Sequence, residues 1–100
     1  LEASSAASDV YKRQIYSLAK KIISLPNLNL KGIMVIPKNT TDSKLTEVSF
    51  AKTKQIAIEL NKNFKGANEI SMGMSNDFEL AIKNGSTMIR IGTGIFGERN

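Results

Sequence analysis

Three places in the last third of the chain hold residue types that could do chemistry. Ser75 closes a short apolar run, residues 70–74, at the point where a helix is about to begin. Its hydroxyl and the free N–H groups of a helix start would point the same way. Gly92-Thr93-Gly94 follows a second apolar run, residues 88–91. It offers backbone N–H groups and a hydroxyl, with no Cβ at Gly92 and Gly94 to block close approach. Both are the kind of turn that holds an oxyanion such as phosphate. Singly, a plain helix cap accounts for Ser75 and an ordinary turn for Gly92-Thr93-Gly94; on adjacent strand ends their donors would converge. Arg90 is the third place. It stands between Ile89 and Ile91, and side chains alternate along a strand. If the two isoleucines meet helices, Arg90 and Met88 point to the opposite face. A permanent cation there needs an acceptor, either an acidic residue of the same protein or a ligand.

The elements that must position these residues read as helices alternating with short apolar runs. Ile15, Leu18, Ala19, Ile22 and Leu25 fall at helical spacing, and Pro26-Asn27 ends that helix. Residues 30–36 form an apolar run without strict alternation, the pattern of a strand covered on both faces. Asp42 or Ser43 caps a long helix over 44–64, with Phe50, Ala57, Leu60 and Phe64 on one face. Residues 69–74 are the second strand, with Ile70, Met72 and Met74 on its core face and Ser71, Gly73 and Ser75 on a small polar face. A helix then starts at Ser75 or Asn76, where Asn76 and Glu79 fit a capping box, and stops at Gly85 with Lys83 in its last turn. Residues 87–91 are the third strand. Three strands separated by helices imply an α/β fold with parallel strands and right-handed crossovers, the C-terminal part of a (β/α)8 barrel. The functional end of such a sheet is the C-terminal end of its strands, where Ser75, Arg90, Gly92 and Thr93 fall.

Composition narrows the chemistry. The 100 residues contain no cysteine and no histidine, so neither a disulfide framework, nor a thiolate metal site, nor a serine–histidine pair can be built from them. Net charge is +5, but the lysines are scattered and no aromatics interleave with them, so a solvated basic surface is expected and no nucleic-acid partner. No apolar run reaches the roughly 20 residues of a membrane span, and no metal site is expected. Residues 1–14, LEASSAASDVYKRQ, lack apolar periodicity and resemble a translated adapter sequence. The expected division is therefore a non-native or disordered segment over 1–14 and a barrel segment over 15–100.

The stretch SMGMSNDFELAIKNGSTMIRIGTGIFGERN resembles the C-terminal motif of the pyridoxal phosphate homeostasis protein family, the YggS/PROSC-type proteins. Ser71, Gly73, Met74, Ser75, Asp77, Glu79, Ala81, Ile82, Gly85, Ser86, Arg90, Gly92, Thr93, Phe96 and Gly97 all fit its pattern. Leu25-Pro26 and the run from Leu30 to Pro37 look like the family's preceding helix end and strand. The resemblance implies a barrel of the alanine racemase N-terminal type that binds pyridoxal 5′-phosphate (PLP) and serves vitamin B6 homeostasis without catalytic turnover. By position, Ser75, Gly92 and Thr93 would hold the cofactor phosphate and Arg90 would face the pyridine nitrogen. The family's Schiff-base lysine lies on an early strand that this chain does not include. A cytoplasmic protein, monomeric at full length, is expected. The alternative is part of a PLP-dependent racemase-like enzyme.

Overall fold

In the computed structural model, residues 9–37 and 41–92 are described. Helix α1 spans Asp9–Ile23, strand β1 Gly32–Met34, helix α2 Ser43–Asn63, strand β2 Glu69–Ser71 and helix α3 Phe78–Lys83. The boundary expected after residue 14 falls inside α1, which is continuous from Asp9. Lys20 and Lys21 occupy its last turn, where cations suit the negative end of the helix dipole.

The two strands pair in parallel, with Gly32 opposite Glu69, Ile33 opposite Ile70 and Met34 opposite Ser71. The ladder extends one bond beyond each end, from Glu69 N–H to the Lys31 carbonyl at 2.8 Å and from Val35 N–H to the Ser71 carbonyl at 3.1 Å. Paired residues share a face, so Ile33, Val35, Ile70 and Met72 form one apolar surface, and all four are buried. Helix α2 lies on that surface through Phe50, Thr53, Ala57 and Leu60. The expectation that the first strand is covered on both faces does not hold among the described residues. Met34 is half-buried and Ile36 is 53% exposed, because the helices lie on one side of the sheet only.

Helix α2 begins as its sequence indicates. Asp42 takes an extended backbone conformation and its carboxylate accepts the Lys44 N–H at 2.9 Å. We predict that Asp42→Ala lowers the stability of the chain by about 1 kcal/mol, measured by urea denaturation, with no change in the cooperativity of unfolding.

The third strand expected over 87–91 is reduced to a single parallel bridge between Ser71 and Met88. Two main-chain bonds make that bridge, from the Met88 N–H to the Ile70 carbonyl at 3.1 Å and from the Met72 N–H to the Met88 carbonyl at 3.0 Å, and side-chain hydroxyls take over on either side of it. Thr87 Oγ1 accepts the Ile70 N–H at 2.7 Å, and Ser86 Oγ donates within reach of the carbonyls of Met72, at 2.6 Å, and Met88, at 3.0 Å. With the Ile70 N–H and the Met72 carbonyl taken by hydroxyls, the main-chain pairing at Met88 does not extend into a longer ladder. Thr87→Val leaves the amide of the buried Ile70 without this acceptor, and a loss of about 1–3 kcal/mol is expected in the same denaturation measurement.

Helix α3 is shorter than its sequence suggests. Residues 75–77 form a turn, Asp77 is the cap residue, and its carboxylate accepts the Met74 N–H at 2.7 Å instead of an amide inside the helix. The expected Asn76–Glu79 capping box is replaced by this arrangement. The other end matches expectation: Gly85 has φ +98°, its N–H bonds the Ile82 carbonyl at 3.0 Å, and Ser86 N–H bonds the Ala81 carbonyl at 3.0 Å. That pair of bonds closes the helix on a left-handed glycine.

Candidate functional site

The C-terminal ends of the strands bring together the loop after β1, the start of α2, the turn before α3 and the segment 88–92. An open cleft of about 740 Å³ lies there, lined by Thr41, Ser43 and Thr46 at the start of α2 and by Ser75, Asn76 and Asp77 before α3. Four hydroxyls and the Asn76 amide can donate to a ligand's acceptor oxygens, and the same walls carry the carboxylates of Asp77 and Glu79 and the apolar Phe78 and Leu80. Ser75 is thus placed in the cleft. Thr41, ahead of α2, and Thr46, within it, were not singled out by sequence, and Ser43 was considered only as a helix cap.

Arg90 lies across the sheet from its own backbone. Its N–H bonds the Gly73 carbonyl at 2.9 Å, while Nη2 donates to the Val35 carbonyl at the end of β1, at 3.0 Å. The side chain therefore spans from the third segment past β2 to β1. Its Nε is buried and has no hydrogen-bond partner among the described residues. An orphaned guanidinium donor is costly, so this atom marks where an acceptor belongs. Among the described residues Nη2 meets a main-chain carbonyl; the acidic partner considered from sequence would come from outside this chain.

Gly92 is exposed, and a Cβ added there would meet nothing within 4 Å, so close packing does not account for the glycine. Thr93 lies outside the described residues, so its expected convergence with Ser75 carries no measured geometry.

The face expected to carry Ser71, Gly73 and Ser75 together is broken at Gly73. A Cβ on Gly73 would point at α3, meeting the Ala81 Cβ at 2.8 Å and the Phe78 Cα at 3.1 Å. Its φ of +106° reverses the alternation, so Met72 is fully buried while Met74 is 43% exposed. The two methionines do not share the core face. An isolated glycine within an apolar run is the sequence signal of such a bulge.

None of the helices among the described residues is long and apolar enough to cross a membrane, and those residues contain no group of three or more potential metal ligands.

Comparison with known proteins places this geometry. Residues 10–100 match the family model of the alanine racemase N-terminal domain. The protein named pyridoxal phosphate homeostasis protein in Vibrio cholerae is 40% identical over 96 residues, which are 96% of this chain and 41% of the relative. The protein of the same name in Pseudomonas aeruginosa is 42% identical over 84 residues, covering 84% of this chain and 35% of the relative. The chain thus spans about two fifths of the length of these relatives. Among solved structures, PipY of Synechococcus elongatus with PLP bound superposes with a TM-score of 0.72 at 34% identity, over 86% of this chain and 42% of that one. A protein of unknown function from Bifidobacterium adolescentis gives 0.82 at 29% identity, over 96% of this chain and 41% of that one. The chain belongs to the alanine racemase N-terminal domain family, with an α/β fold of the TIM-barrel type, and is similar within it to the pyridoxal phosphate homeostasis proteins.

Proposed function

We propose that this chain carries the C-terminal part of a pyridoxal 5′-phosphate site in a barrel protein of vitamin B6 homeostasis, one that holds the cofactor without turning over a substrate. The observation that carries the reading is Arg90. Its Nη2 is fixed on the Val35 carbonyl and its buried Nε has no acceptor among the described residues. A pyridine nitrogen is an acceptor of the right kind. The relatives' names and the PLP in PipY point to the same ligand.

When bound, PLP supplies an electrophilic carbonyl and a ring that draws electrons best when its nitrogen is protonated. Arginine stays charged and donates, so Arg90 would keep that nitrogen unprotonated and the ring a weak electron sink. Binding without turnover is consistent with that weak sink, and a racemase-like enzyme of the same domain family is the alternative reading. Ser75 would hold the phosphate from the cleft, with Gly92 and Thr93 approaching it from the neighbouring strand end. The lysine that takes the carbonyl, and the strands that complete the barrel, would come from the portion of the relatives' length that precedes this one. A cytoplasmic, monomeric full-length protein is part of the same proposal.

The test is a calorimetric titration of the chain with pyridoxine 5′-phosphate, which has the ring and phosphate but no aldehyde, against inorganic phosphate and against a short RNA. Binding of the ring-bearing probe more tightly than phosphate, with weak salt dependence, is the expected result. A steep salt dependence with preference for RNA would replace the proposal by nucleic-acid binding. Detectable alanine racemisation by the intact protein would replace it by the enzyme reading.

A further inference from the structure

The strand register shows what holds Arg90 in place. On the β1 side, Val35 N–H to the Ser71 carbonyl is the last regular bond. Extending the register puts Gly73 opposite Ile36, so the next bond of a regular parallel ladder would run from the Gly73 N–H to the Val35 carbonyl. That carbonyl instead accepts Arg90 Nη2 at 3.0 Å. On the other side, Met72 N–H bonds the Met88 carbonyl at 3.0 Å, and the regular continuation would run from Arg90 N–H to the Met72 carbonyl. Arg90 N–H goes one residue further, to the Gly73 carbonyl at 2.9 Å, and the Met72 carbonyl takes Ser86 Oγ. One residue at φ +106° thus re-aims both ladders.

We propose that Gly73 is a positioning residue of the cofactor site. Its bulge frees the Val35 carbonyl to take Nη2 and anchors the Arg90 backbone. Nε is then the guanidinium donor left for a ligand's acceptor, buried and without a partner among the described residues. The proposal rests on the reading of Arg90 given above. No side chain other than glycine fits. At this φ a Cβ is strained, and it would stand 2.8 Å from the Ala81 Cβ and 3.1 Å from the Ile89 Cγ2.

The experiment compares the 100-residue chain with Gly73→Ala and with Gly73→Ala/Ala81→Gly, in which the closest contact is relieved while the backbone strain at residue 73 remains, and reads only variants whose spectra show a folded chain. Nitrogen-15 spectra report the arginine Nε–H groups; the chain's arginines are Arg13, Arg90 and Arg99, and Arg90→Lys assigns the signal of interest. In the parent chain the Arg90 Nε–H is expected to stand apart from the other two and to shift on adding pyridoxine 5′-phosphate. In the glycine variants it is expected to merge with them. The ratio of affinities for pyridoxine 5′-phosphate over inorganic phosphate should fall about tenfold, while phosphate affinity alone stays put. A loosened fold would lower both affinities together and would not move the ratio. An Nε–H signal and a ratio unchanged in a folded variant overturn the positioning. A parent signal that ignores the ring-bearing probe overturns the cofactor reading, whatever the glycine variants do.

Discussion

Replacing Arg90 by alanine is expected to remove the chain's preference for a pyridine-ring ligand. A hydrogen bond from a charged donor contributes about 1.5–3 kcal/mol, which corresponds to roughly 10- to 150-fold in affinity. Pyridoxine 5′-phosphate should weaken by that factor in titration, and inorganic phosphate should bind as before, because Ser75 and the cleft lie on other elements. Arg90→Lys is expected to fail as a rescue. A lysine ammonium is one point of charge and cannot both meet the Val35 carbonyl and present a second, fixed donor as Nη2 and Nε do. Equal loss for both ligands would mean that Arg90 acts through the fold and not on the ring.

The largest stability effect is expected at Gly32. A Cβ there would lie 1.7 Å from the Glu69 carbonyl oxygen and 2.6 Å from its carbon. Both atoms belong to the backbone of β2, directly across the pairing, so neither can swing aside as a side chain would. Gly32→Ala must therefore part the strands at the first rung of the only regular ladder among the described residues. A loss of about 3 kcal/mol is expected, at the upper end of overpacking penalties. For a chain of this length, whose total stability is of order 5–15 kcal/mol, that is a large share. Urea denaturation followed by circular dichroism measures it. Gly66→Ala is the control: φ there is +94°, but nothing lies within 4 Å of the added Cβ. It should cost only the backbone strain, about 1 kcal/mol. Equal costs at the two glycines would show that the β1–β2 contact yields easily.

Two features together explain why this sheet carries a site at one end. Arg90 is held by main-chain carbonyls, which cannot be removed by a change of side chain elsewhere in the sheet. The cleft at the same end is lined from the start of α2 and from the turn and first residues of α3, with Ser75 among its hydroxyls. Contacts at the far side of α3 carry less. The Lys83–Glu47 pair is 3.8 Å apart and largely exposed, a geometry that contributes at most about 1 kcal/mol.

The sequence by itself determined the order of elements and most of their ends. Helical spacing marked the buried positions Ile15, Ala19, Phe50, Ala57 and Leu60 because a helix repeats every 3.6 residues whatever it packs against. Asp42 and Gly85 marked a cap and a stop because their conformations are local. The motif from Ser71 to Gly97 was long enough to point to the family. Only the tertiary structure decided how the last strand pairs and which way the site residues face. Main-chain pairing with β2 is kept at Met88 and gives way to the hydroxyls of Ser86 and Thr87 on either side of it, and no propensity for strand at 87–91 could register that competition. The bulge at Gly73 moved Met74 off the core face and re-aimed Arg90. Alternation assumes an unbroken strand, and a single residue at φ +106° resets it. The acceptor of Arg90 Nη2 lies 55 residues earlier in the chain, on a main-chain carbonyl that no side-chain pattern can name.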